Sequence, residues 1–546
     1  MIARISGFCL GLLFLAPAVV IAQGEVYRDD NEAIAVVEKA GARLTRGNPV
    51  VVMPGQKPKR WLEIKEQNRG YGAGSPIIGI DFHTLTFTDA SLKALTKQLG
   101  GFKYLTHIGF SGTAVTDAGL AGLGECQALT TIILGPGKIN GSGLKNLAEL
   151  KHLATLEVMN TMINVDGLKA LAENKAITSL VLHKSKVTDD NLKYVGEIEH
   201  LLLLDVSETA VTDAGLVNLK GLKLLQTLEI SKTKITGAKF KDLEPLVSLA
   251  YLLAAQSSVT DTGLATLPKL PMLNAVDLSF TSITGVGLKV FAGSTTLAGL
   301  GLNGSPVTDA NLAHLADCTA MQQLLLSRTR ATDAGMKHLS KLTAMTTLDL
   351  SGTSVGDVGL KDLADLRAMT TLTLSRTKVT DAGLKELNGM KQLGKLALTG
   401  TSVTSAGAKH LTGFLGLYHL ELANTKFGDP GLTELTDNLK GITYLDLNQT
   451  LVGEGAAKVT VFANLQYLAL NGTKASDKVV KELPVLKKLQ QLYLAGTAVS
   501  KDSYDSFTSM NSFLQFLDLT NTRMPPMRIR DLQMAMPYTL IVPRVP

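Results

Sequence analysis

Four aromatic residues near the C-terminal end, Tyr444, Tyr467, Tyr493 and Phe516, recur at intervals of 23 to 26 residues, with His419, Glu421, Asp446 and Asp518 among them. Rings rimmed by carboxylates and an imidazole are equipped for recognition: the rings bury large areas on contact, and the charged groups fix orientation. Aromatics make up only 5% of the chain, so this gathering marks the best candidate for a partner-binding surface. Catalysis would need unlike groups to converge, and the remaining candidates do not. His83 and His107 belong to neighbouring strands but to different positions in them, which argues against a shared metal, and His314, His338 and His410 fall on helix faces. No H-E-x-x-H, phosphate-binding P-loop or C-x-x-C stretch occurs, so no catalytic residue, metal site or cofactor is predicted.

The elements that carry these side chains are read from a repeat. The stretch Met345–Ala368, MTTLDLSGTSVGDVGLKDLADLRA, follows L-x-x-L-x-L-x-x-T-x-V-x-D-x-G-L-x-x-L-x-x-L-x-x, and the block from Met369 restates every apolar position. From Thr113 to Thr425 the ninth position returns thirteen times at a period of 24, as Thr except at Gly137, Ser185, Ser257 and Ser305. A fixed period of this length specifies a solenoid. Positions 4 and 6, such as Leu348 and Leu350, alternate with polar residues as a strand does, while Leu360, Leu363 and Leu366 fall three apart and read as a short helix. Thr380-Asp381 offers N-cap chemistry for the next such helix, and Gly383 leaves room for its backbone to approach the sheet. The apolar side chains of one repeat cannot offset the cost of ordering its backbone, so only stacked neighbours are stable. Strands stack at about 4.8 Å and helices at about 8–10 Å. The expected α/β architecture is therefore a curved horseshoe, with a parallel β-sheet on the concave face and helices on the convex face.

The L-x-x-L-x-L-x-x-T-x-V segment resembles the leucine-rich repeat, and V-T-D-A-G-L resembles its cysteine-containing subtype. Thr replaces that family's usual Asn or Cys, and the units are shorter than that subtype's. The resemblance is thus to the short Thr-type repeats of bacterial extracytoplasmic proteins rather than to ubiquitin-ligase receptors. It implies a non-catalytic binding scaffold. The threonine hydroxyls are expected to form a ladder to neighbouring backbone groups at the turn.

In chain order, Met1 to Ala22 carries Arg4, an apolar run and Val20-Ile21-Ala22, the pattern of a secretory signal cleaved before Gln23. An uncleaved anchor is the rival reading. No later segment is long and apolar enough to span a bilayer, which predicts an extracytoplasmic protein with no membrane span after cleavage. Residues 23–76 depart from the repeat and read as an N-terminal cap, with a helix from Asp30-Asn31-Glu32 to about Ala42 and a strand at Val50 to Met53. Repeats, about nineteen of them, occupy 77–522, the first lengthened by four residues. Around Gly453 to Ala457, GEGAA replaces the usual helix start and is expected to loosen the array. Residues 523–546 are expected to close it with a helix and a strand. Three cysteines are too few for a disulfide framework, and Cys126 and Cys318 replace core leucines, so both are expected to be buried thiols.

Positions 3, 5 and 7 of each repeat are expected to face the concave surface. Position 5 holds Asp81, Glu157, Asp205, Glu229, Asp277, Asp349, Glu421, Asp446 and Asp518, and no Lys or Arg. Lysines such as Lys361 and Lys385 collect instead on the helices, so the net charge of +6 lies mostly outside the arc. An acidic inner face argues against nucleic acid, since phosphate repels carboxylate. The sequence therefore predicts a protein partner, cationic or glycosylated, held on the concave face. A glycan-binding envelope or adhesion protein is the second reading. The sequons at Asn140, Asn303, Asn448 and Asn471 arise from the repeat's own polar turn.

Overall fold

The computed structural model describes residues 31–40, 42–46, 77–83, 85–99 and 104–544. The chain forms two compact units, 1–282 and 283–546. In the first, Ala42–Arg46 lies antiparallel on Ile77–Phe82, and every later pairing is parallel, up to Tyr251–Leu253 with Ala275–Asp277. In the second, an open parallel sheet runs from Gly299–Gly301 to Leu540–Val542. A helical segment follows each strand of the repeats, either a short α-helix such as Asp357–Asp362 or a 3-10 helix such as Val286–Phe291. The three-residue spacing of the leucines suits both, because 3-10 geometry aligns residues three apart.

One block shows why the repeat folds this way. Met345, Leu348, Leu350, Val355, Leu360, Leu363 and Leu366 are all fully buried. Strand pairing keeps a fixed register, Thr347-Leu348-Asp349 against Thr371-Leu372-Thr373. That register survives the 23-residue step from Tyr444 to Tyr467 and the 25-residue step from Gln491 to Phe516. Length changes are therefore absorbed outside the strands. At GEGAA a 3-10 helix, Glu454–Val461, replaces the α-helix, yet Val452, Ala456 and Val459 stay fully buried, so the packing there is not loosened.

Three polar devices set the turns. The ninth-position hydroxyl donates within its own repeat, as Thr353 does to the Leu350 carbonyl at 2.6 Å and Thr377 to that of Leu374 at 2.6 Å. The eighth position takes left-handed backbone, occupied by Gly352, Gly400 and Gly496 but also by Arg328, Arg376 and Phe280. The repeat aspartate reaches into the next repeat. Asp357 accepts from the Thr380 amide at 2.8 Å and its hydroxyl at 2.6 Å, and Asp381 does the same for Thr404 at 2.8 and 2.6 Å. Thr380 caps its own helix by accepting from the Ala382 amide. A Cβ at Gly383 would strike the Asp357 carboxylate, so this glycine makes room for the inter-repeat aspartate rather than for the sheet.

At the N-terminal end the helix is Asn31–Lys39, and Ala42 begins a strand rather than ending the helix. Residues 1–30 and the predicted strand at Val50 to Met53 lie outside the described residues. The first repeat's helix is long, Asp89–Leu99, in keeping with its four extra residues. At the C-terminal end, the helix Pro526–Ala535 is followed by the strand Leu540–Val542, which pairs with Phe516–Asp518 as the last strand of the second sheet. Cys318 is fully buried, its thiol donating to the Phe291 carbonyl at 3.1 Å, and burial pushes that thiol's pKa up. Cys126 is only half-buried, unlike the leucines it replaces.

Candidate functional site

On the sheet face away from the helices, the second unit carries a continuous stack of rings. The His419 and Tyr444 centroids lie 3.9 Å apart at an interplanar angle of 3°. Tyr444 and Tyr467 follow at 4.0 Å and 8°. Tyr467 to Tyr493 and Tyr493 to Phe516 are tilted steps of 5.0 and 4.8 Å. His419, Tyr444 and Tyr467 occupy one column because their strands pair in register. Tyr493 belongs to the neighbouring column, opposite Ala469 and Asp518, and leans across to complete the stack. Its hydroxyl donates to the Gln491 side chain at 3.1 Å. All eight predicted residues therefore sit on adjacent strands of one sheet, and all are half-buried.

The carboxylates beside the rings differ. Glu421 accepts from His419 at 2.7 Å and lies 3.8 Å from the Lys395 ammonium. The His419 hydrogen bond outweighs burial and holds the Glu421 carboxyl below its ordinary range. Asp446 moves the other way: burial raises it and Glu421 adds to the rise, against the bond from the Asn448 amide. Burial likewise raises the phenols of Tyr444, Tyr467 and Tyr493. These hydroxyls stay protonated and can donate or accept at neutral pH.

The wider acidic row is partly structural. Asp205, Asp277, Asp349, Asp446 and Asp518 each accept from the backbone amide two residues on, fixing the turn at the strand's end. Asp81, Glu157, Asp205 and Glu229 are buried, and Asp81 lies 3.1 Å from His107. Alternating carboxylates in the sequence did not reveal this second task, although the recurring D-x-S, D-x-N and D-x-T spacing carries the signal.

Among the described residues no group of three or more His, Cys, Asp and Glu side chains could hold a metal ion, and no helix is long and apolar enough to cross a membrane. The stretch Gly352-Thr353-Ser354-Val355-Gly356 does match G-x-S-x-G, a spacing associated with nucleophilic serine. Here its glycines have other duties. Gly352 takes the left-handed position, and the Gly356 amide bonds Asp333 at 2.6 Å. Ser354 pairs with Thr332 in a backbone bridge, and among the described residues no imidazole bonds its hydroxyl. The Asn303, Asn448 and Asn471 side chains accept from backbone amides of the following repeat, so these sequons serve the turn, as expected.

The sheet, the helices and the buried leucines recur with one period, and the block 341–364 matches the family model described as Leucine Rich repeat. The fold is that of the leucine-rich repeat, and the match in sequence covers one repeat of it. Comparison with curated proteins finds no match in sequence. Among solved structures, the chain is similar to an internalin of Listeria monocytogenes at 18% identity and a TM-score of 0.41, over 69% of this chain and 93% of that one. A leucine-rich repeat protein of Leptospira interrogans is 19% identical with a TM-score of 0.47, over 72% and 91%. The ectodomain of a membrane receptor kinase from Arabidopsis thaliana, in complex with Casparian strip integrity factor 2, is 15% identical with a TM-score of 0.40, over 81% and 65%.

Proposed function

We propose that this leucine-rich repeat protein is an exported scaffold, without catalysis of its own, that binds a partner protein across the ring stack of its second unit. The observation that carries the reading is the stack itself. Five rings from adjacent strands, each half-buried, lie beside Glu421, Asp446 and Asp518 on the face the helices leave open. Preformed aromatic surfaces with charged neighbours are where binding energy concentrates, because the rings are already ordered before contact. Export rests on Arg4, the apolar run and Val20-Ile21-Ala22, and intact mass of secreted material should give Gln23 as the first residue. Retention of Met1 on membrane-bound protein would replace that part of the reading with an anchor.

The test is capture of a partner by the mature protein and by a variant carrying Tyr444→Ala, Tyr467→Ala and Tyr493→Ala, with a glycan array run beside it. Loss of capture in the variant, with its thermal unfolding intact, supports the assignment. Unchanged capture, with loss appearing instead on substitution of Lys361 and Lys385, moves the site to the helices. The glycan reading is the weaker one, because ring faces already stacked on each other at 3.9 to 4.0 Å cannot also stack on a sugar.

A further inference from the structure

Resting on that reading, we propose that the segment bound along the stack is an extended peptide stretch bearing two basic side chains four residues apart. The first support is electrostatic. Asp446 and Asp518 flank the stack, each with one carboxylate oxygen committed to a backbone amide, of Asn448 and Thr520, both at 2.9 Å. Among the described residues neither carboxylate has a Lys, Arg or His within ion-pair distance, whereas Glu421 already holds Lys395 and His419. Two half-buried carboxylates therefore present an open oxygen to whatever covers the sheet. A cation there would also relieve the burial that lifts the Asp446 carboxyl.

The second support is metric. The strand Tyr444–Asp446 and the strand Phe516–Asp518 are separated by Tyr467–Ala469 and Gln491–Tyr493. Three strand spacings place the two carboxylates about 14 Å apart. An extended chain advances about 3.3–3.6 Å per residue, so four residues cover about 13–14 Å. Side chains at i, i+2 and i+4 of such a chain also point the same way. Two basic residues four apart thus reach both carboxylates at once when the segment crosses the strands. The intervening i+2 side chain lands beside the half-buried ring of Tyr493, next to the fully buried Ala469, which suits an apolar group.

The experiment measures fluorescence anisotropy of two labelled peptides on the full mature chain. One has the core Arg-Ser-Leu-Ser-Arg, and the other has the same composition with the arginines adjacent. The spaced peptide should bind at least about fivefold more tightly, and Asp446→Asn or Asp518→Asn should bring that ratio close to one. Asp365→Asn, on an exposed ion pair away from the sheet, should leave it unchanged. Equal affinities, a preference that survives both Asn variants, or no binding of either peptide at about 1 mM would overturn the inference. Peptide binding that loses its spacing preference yet still depends on Tyr444 and Tyr467 overturns this inference alone. Peptide binding and partner capture that both ignore the tyrosines overturn the ring stack as the docking surface.

Discussion

Replacing Asp357 by Ala should destabilise the second unit by about 2–3 kcal/mol, an unusual cost for a partly exposed acidic residue. The magnitude follows from what the carboxylate holds. One oxygen accepts from the Thr380 amide at 2.8 Å and the other from the Thr380 hydroxyl at 2.6 Å, tying two repeats together. Hydrogen bonds to a charged acceptor contribute about 1.5–3 kcal/mol each, and an amide left unmatched costs about 1–3. The hydroxyl can turn to water after the change, which keeps the total near the lower end. Asp365 is the control: it pairs with Arg367 at 3.4 Å, but both side chains are more than three-quarters exposed, so Asp365→Ala should cost no more than about 0.5 kcal/mol. Urea unfolding followed by circular dichroism reads the global effect, and hydrogen exchange at the Thr380 amide reads the local one. Repeat stabilities add through nearest neighbours, so faster exchange should be confined to the adjoining repeats. Equal losses in the two variants, or unchanged protection at Thr380, would refute the claim that the aspartates fasten one repeat to the next.

Further tests address other links in the argument. Leu363→Asp places a carboxylate at a fully buried site and should cost at least several kcal/mol, whereas Lys361→Asp on the exposed face should shift the melting temperature little. At Gly496, φ is +67° and a Cβ would meet no atom closer than 3.8 Å, so backbone strain alone decides. Gly496→Asn should be close to neutral in thermal melts and Gly496→Val should cost about 1–2 kcal/mol. The Glu421 carboxyl is lowered by folding, so its contribution is present above the unfolded value and disappears as pH falls through the folded one. Asp446 is raised, so acidification removes a folding cost there instead. Melting curves of Glu421→Gln against the parent between pH 7 and 3.5 should therefore converge on acidification, and a constant difference would contradict the His419 contact.

The fold was legible because it depends on positions that repeat. Leu348, Leu350, Leu360 and Leu363 have one role in every unit, and a period of 24 shows that role many times over. Thr353 was legible for the same reason, since a recurring polar residue at a strand's end has few partners besides the local backbone. The inter-repeat role of Asp381 was hidden by an equally good local one: T-D before a helix reads as a cap, and Thr380 is indeed the cap, while the aspartate after it points along the array. Left-handed backbone at the eighth position was masked by variety, with Arg328, Gly352, Arg376 and Gly400 alternating there. The glycines were the signal, and the arginines concealed it.

The arrangement of the candidate residues was half legible. Spacing alone put Tyr444 and Tyr467 in one column, and their strands pair as that spacing requires. Tyr493 came from the next column, and only side-chain geometry shows that its ring crosses to meet both Tyr467 and Phe516. That crossing has a cause: the column's own residue on the strand is Gln491, which cannot continue a ring stack, and Ala469 on the preceding strand leaves lateral room. The small residue at 469 and the large one at 493 thus act as a pair. Ala469→Leu should crowd the crossing ring and break the stack between Tyr467 and Tyr493, at an overpacking cost of about 1–3 kcal/mol because Ala469 is itself fully buried. Partner or peptide affinity lost in that variant at a temperature where it stays folded, and kept in an equally destabilised core variant such as Leu363→Ala, would tie recognition to the continuity of the stack rather than to its individual rings.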